Sequence, residues 1–156
     1  MKKSKIIVGI FDGQTKNIRY ELVDNDLVTW YMLINCDCID VTGFAGFELI
    51  CDDEALLKVE PKPTILRYDN YDNLIGAIYG TVVICRSYNE EFDSLTDDDI
   101  RWLGENIMVL SVDTDEYEGY SMVDTQRYHN FESKYEPIYD YIQFDNLMYL
   151  NDEDIY

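Results

Sequence analysis

"IGAIYGTVVICRSY", residues 75–88, is the stretch on which the fold turns. Its centre, Ile78 to Cys85, is an apolar run rich in β-branched residues. That pattern predicts a central strand buried on both faces. Gly76 and Gly80 are spaced GxxxG, but neither a lysine nor a helix start follows, so the glycines give no phosphate cradle.

On the C-terminal side, "SLTDDDIRWLGENI" (94–107) predicts a helix. Thr96 is a good N-cap with Asp99 three residues on, as in a capping box. Ile100, Leu103 and Ile107 share one face. Asp97, Asp98 and Asp99 meet the positive end of the helix dipole, which gives these three carboxylates a structural reason. "MVLSVD" (108–113) predicts one more strand.

On the N-terminal side, "CIDVTGF" (38–44) and "FELICDD" (47–53) predict two strands around Ala45-Gly46. Pro61 and Pro63 then interrupt regular structure. "KIIVGIF" (5–11), the turn "DGQT" (12–15) and "KNIRYELV" (16–23) predict a hairpin. "LVTWYMLIN" (27–35) predicts a short helix capped by Asn25 or Asp26, burying Leu27, Trp30, Tyr31 and Ile34, although its Val, Thr and Trp also suit a strand. The expected fold class is α+β: a mainly antiparallel sheet with two or three helices and an acidic, Tyr-rich C-terminal extension. The expected division is a core over residues 1–108 and an extension over 109–156 packed on it.

Composition sets the functional bounds. A chain of 156 residues with 47% apolar content can bury a core without metal or disulfide support. Asp and Glu number 32 against 12 Lys and Arg, a net charge of -20. That balance excludes nucleic-acid binding through a basic footprint and disfavours docking on an anionic membrane. Residues 109–156 hold 12 acids against 2 bases, and residues 1–108 hold 20 against 10, so the later part carries the same excess in less than half the length. Eight of the 14 tyrosines also lie there.

Cys36, Cys38, Cys51 and Cys85 follow no secretory leader, and no apolar run is long enough to span a membrane. They are expected as reduced thiols, buried as small hydrophobes, since CxC with one distant histidine does not make a structural zinc site.

Three local features carry a resemblance: the strand end Leu49-Ile50-Cys51-Asp52, the strand Gly80-Thr81-Val82-Val83-Ile84, and an acidic loop with Phe92 and Ser94-Leu95-Thr96 opening a helix. Over roughly residues 25–108 the chain resembles an uncharacterised family of small phage and mobile-element proteins. The resemblance implies an α+β fold, a phage or plasmid context beside antirestriction modules, and hence the cytoplasm of a bacterial host. It implies no catalytic residues. The long acidic end departs from the usual member.

No residue pattern argues for catalysis. His129, the single histidine, has no nucleophile motif around it. Asp113-Thr114-Asp115 begins like a calcium loop, but Tyr117 and Glu118 occupy places that such a loop needs for a ligand and a glycine. The expectation is a non-enzyme with no cofactor and no metal.

A folded chain of this length has a diameter near ~40 Å, and duplex DNA of that length carries about 23 phosphate charges, so the net charge is of the size a nucleic-acid mimic needs. Glu132, Glu136 and Asp140 would make a stripe on a helix, but Pro137 confines that helix to a start near Glu136. A merely solvated acidic tail has few aromatics, so this one is expected to pack or bind. The expected partner is a host nucleic-acid-binding protein with a basic channel, such as a CRISPR effector or restriction enzyme. The candidate partner-binding residues are Asp113, Asp115, Glu116, Glu118, Glu132, Glu136, Asp140, Asp152, Glu153 and Asp154, with Tyr117, Tyr120 and Tyr139. Direct nucleic-acid or membrane binding is not expected, and a homodimer is left open. The alternatives are a small-molecule or protein-binding module without mimicry, and a divalent-metal enzyme.

Overall fold

The computed structural model describes residues 4–57, 62–69, 71, 73–113, 118–125 and 141–142. The expected α+β class is overturned. Among the described residues the chain is built from eleven strands in two sheets, with two short helices and one 3-10 turn at Ala55–Leu57.

The first sheet takes β1 (Lys5–Phe11), β2 (Arg19–Asp24), β3 (Ile39–Phe44), β4 (Phe47–Asp52), β7 (Val82–Tyr88) and β8 (Glu91–Asp93). Its order is β2-β1-β7-β4-β3, with β8 hairpinned onto the end of β7. The second takes β5 (Pro63–Tyr68), β6 (Leu74–Tyr79), β9 (Val109–Asp113), β10 (Glu118–Thr125) and β11 (Tyr141–Ile142), in the order β11-β9-β10-β5-β6. Pairing is antiparallel except at β10–β5 and β11–β9. The described strands beyond residue 108 thus take places in the second sheet, with β10 between β9 and β5.

The predicted strand Ile78–Cys85 is in fact two strand ends in different sheets. Gly80 stands at φ 84°, a left-handed conformation that a β-branched or aromatic residue resists. The chain turns there and leaves β6 for β7. Thr64 secures the turn by donating its hydroxyl to the Gly80 carbonyl at 2.6 Å. The proline break is corrected in the same region. Pro61 lies outside the described residues, but Pro63 begins β5, a place where a missing N–H costs little.

The hairpins otherwise follow their sequence signals. β1 and β2 pair from Lys5↔Asp24 to Ile10↔Arg19, and Ile18 and Tyr20 lie so close over Gly9 that a Cβ there would meet Ile18 at 2.8 Å. Ala45 and Gly46, at φ 56° and 82°, form the two-residue turn between β3 and β4.

Helix α1 (Leu27–Ile34) is capped by Asp26, whose carboxylate accepts from the Thr29 N–H. It lies on one face of the first sheet, where Trp30 and Ile34 bury against Ile6, Val8, Ile10, Ile50, Val83 and Cys85. Leu27, expected in that face, is 49% exposed, because on so short a helix only residues 30 and 34 point squarely at the sheet. The other face of the first sheet packs on the second sheet. Phe11, Leu49, Val82 and Ile84 meet Ile65 and Met122 there, and Leu95 and Leu103 close the layer. Helix α2 (Asp97–Asn106) forms as the sequence predicts, with the Thr96–Asp99 capping box in place.

Candidate partner-binding surface

The open end of the β3–β4 hairpin carries a cluster of acidic residues. Antiparallel register sets Asp40 opposite Cys51 and Ile39 opposite Asp52, and the Asp53 N–H donates to the Cys38 carbonyl at 3.1 Å. Asp37, Asp40, Asp52, Asp53 and Glu54 are thereby gathered at one end of the hairpin. Asp52 is half-buried and the other four are exposed. Asp52 also accepts from the Glu54 N–H, which fixes that turn. Burial first, then the charges of Asp40, Asp52 and Asp53, push the Cys51 thiol up to about 12, against the opposing pull of Arg67. A thiol so placed stays protonated and is no nucleophile.

Arg67 reaches the same hairpin from the second sheet, nearer its turn. It stands opposite Asp124 in the β5–β10 register, and its guanidinium bonds the Asp124 carboxylate at 2.7 Å. Its second nitrogen donates to the Thr42 hydroxyl and the Gly43 carbonyl on the first sheet, each at 3.3 Å. One side chain thus ties the two sheets together. Burial raises the Asp124 pKa to about 6 although Arg67 works against it.

Of the residues singled out from sequence, the structure describes three. Asp113 and Glu118 face each other across the β9–β10 pair. Tyr120 is half-buried and packs on the layer between the sheets, with the Lys16 ammonium 5.8 Å from its ring centre. Asp115, Glu116, Tyr117, Glu132, Glu136, Tyr139, Asp140, Asp152, Glu153 and Asp154 lie outside the described residues, as does His129. Sequence reasoning missed the β3–β4 cluster. The signal was present in "CDCID" and "CDDE", acids in and just beyond the ends of two strands that a two-residue turn must bring side by side.

The four cysteines form no disulfide; Cys36, Cys51 and Cys85 are buried as expected, whereas Cys38 is exposed. Among the described residues no three His, Cys, Asp or Glu side chains converge as a metal ion would require. No helix of the described residues is long and apolar enough to cross a membrane.

A family described as a domain of unknown function, DUF3846, matches residues 7–108. The chain belongs to that family. The match runs from within β1 to just past α2, so it begins earlier than the motifs at residues 49–96 and takes in the α1–β4 region with its acidic end. No curated protein and no solved structure matches the chain.

Proposed function

We propose that the protein is an acidic inhibitor that occupies the cationic surface of a nucleic-acid-binding protein, its carboxylates standing in for phosphates. One observation carries this reading: the net charge is -20, and among the described residues the carboxylates lie on strands, turns and the first turn of α2 without converging on a chelating site. A basic channel built for phosphates would meet such carboxylates through charge-assisted hydrogen bonds. The five carboxylates around β3 and β4 join the C-terminal acids in this role. The resemblance to phage and mobile-element proteins favours a host defence nuclease as the partner, a CRISPR effector or restriction enzyme blocked at its nucleic-acid site.

The test is capture from host lysate by the purified protein, with elution by salt and by competing DNA. A nuclease released by both supports the reading and names the target. Replacing Asp37, Asp40 and Asp53 by Asn, and Glu54 by Gln, should then weaken capture, and reversing the ten C-terminal carboxylates should abolish it. Capture that ignores DNA and survives both sets would leave the charge as a solubility feature.

A further inference from the structure

A cleft of about 290 Å³ opens between the start of α1 and the β7–β8 turn. Leu27, Trp30, Ile39 and Phe92 make its apolar walls, with the Trp30 and Phe92 rings edge to face at 5.8 Å. The Asn25 side chain donates to the Phe92 carbonyl at 3.0 Å and holds the two walls together. The rim is acidic: Asp26, Glu90 and Glu91 line it, and among the described residues no lysine or arginine does. Asn89 and Glu90, at φ 51° and 66°, form the tight turn that presents Glu90 and Glu91.

Next to the cleft, α1 turns an apolar ridge to solvent. Its sequence, LVTWYMLI, has no charged residue, and Val28 and Met32, one turn apart, are 63% and 76% exposed. A solvated helix would carry polar side chains there.

We propose that this cleft and ridge dock a short basic segment of a partner protein. One arginine or lysine lies in the cleft, its methylene stem on Leu27, Ile39 and Phe92 and its charged head at Glu90 and Glu91. A neighbouring apolar side chain of the same segment covers Val28 and Met32. The chemistry selects this occupant. An anion would be repelled by the rim, and a purely apolar group would leave the carboxylates facing it unpaired. The cleft by itself lies at the small end of ligand pockets, and the ridge continues past it, so an occupant covering both is longer than a small metabolite. This goes beyond mimicry, which needs dispersed charge but no shaped apolar recess.

The experiment titrates the isotope-labelled full chain with an acetylated, amidated hexapeptide alternating arginine and leucine, read by amide shifts. Two control peptides replace arginine by glutamine, or leucine by glycine. Shifts should concentrate on residues 25–32 and 89–92, and both controls should bind more weakly. The double variant Glu90→Gln, Glu91→Gln should weaken binding about tenfold, the scale of two rim ion pairs. Met32→Gln, at an exposed position, should weaken it less, with unchanged spectra elsewhere. Absent binding, shifts spread evenly over the acidic surface, equal binding of the glutamine peptide, or indifference to the double variant would each overturn the proposal. So would shifts at the same residues on concentrating the protein alone, which would put a second copy in the cleft. No host partner or DNA enters this titration, so it can fail while salt-sensitive capture from lysate persists.

Discussion

Arg86 and Asp99 meet where β7 passes the start of α2, and Arg67 and Asp124 meet between the ends of the two sheets. The residue types are the same, and both carboxylates are shielded from water, at 6% and 9% side-chain exposure. Their acidities move apart. Asp99 is held down to about 2, chiefly by its two bonds from Arg86 and then by the Thr96 N–H of the capping box. Asp124 is pushed up to about 6 by burial, with one Arg67 bond opposing. Depth of burial set against the number of donors reaching the charge, more than the mere presence of a cation, decides which way a shielded carboxylate titrates. The consequences for stability have opposite signs. Asp99 adds stability above the unfolded carboxylate value, and that stability is lost as pH falls through about 2. For Asp124 the folded value exceeds the unfolded one. Its contribution is present below about 4 and is lost as pH rises through about 6, a cost of about 2–3 kcal/mol at neutrality.

Breaking the buried pair should have the largest effect. Arg67→Ala strands Asp124 and removes both bonds to β3. The expected loss in urea unfolding is about 3 kcal/mol at pH 8, where Asp124 is charged, and about 1 kcal/mol at pH 5, where it takes up a proton. Equal losses at the two pH values would show that Arg67 acts by packing alone.

Asp124→Asn isolates the carboxylate. The variant should show a flatter stability curve between pH 4 and 7, gaining about 2 kcal/mol on the parent across that window. General repulsion from the net charge of -20 is nearly common to both proteins, so the difference curve reports this one group. A difference curve that stays level would assign the titration elsewhere.

Asp99→Asn tests the other half of the contrast. Arg86 is 49% exposed, so the pair is worth less than the shift alone suggests: about 1–2 kcal/mol at pH 7. The difference should close as pH falls toward 2, the reverse of the Asp124 pattern. Part of the loss comes from the capping box and would appear as fraying of α2 in amide exchange.

How much of this was legible differs by element. The β1–β2 and β3–β4 hairpins, α1, α2 and β9 each carry a local signal, a turn dipeptide, a cap or a period, within some ten residues. β5, β6 and the split at Gly80 do not. The run Ile78–Cys85 is mostly apolar because both strand ends are buried, and periodicity cannot tell one buried strand from two in different sheets. Parallel pairing of β5 with β10 joins residues 57 apart at Arg67 and Asp124, with no mark in either neighbourhood. The fold class failed for that reason: the strands of the second sheet were divided among a proline break, the start of one central strand and an acidic extension. The cleft is similar, since Trp30 and Phe92 approach only after β7 has returned beside the α1-covered face. The acidic hairpin end was within reach, because the register follows from the turn once both strands are accepted.

The smallest expected effect sharpens what Arg67 contributes beyond its ion pair. Thr42→Val keeps the shape of the side chain and removes one acceptor, 3.3 Å from a guanidinium that is partly open to water and also bonds the Gly43 carbonyl. The loss should stay below about 1 kcal/mol and should not depend on pH between 5 and 8. The residual pH dependence of Arg67→Ala then belongs to Asp124. If Thr42→Val instead reproduces the pH profile of Arg67→Ala, the hydroxyl is what holds the guanidinium against the carboxylate. The asymmetry between the two pairs would then rest on orientation as well as on donor number.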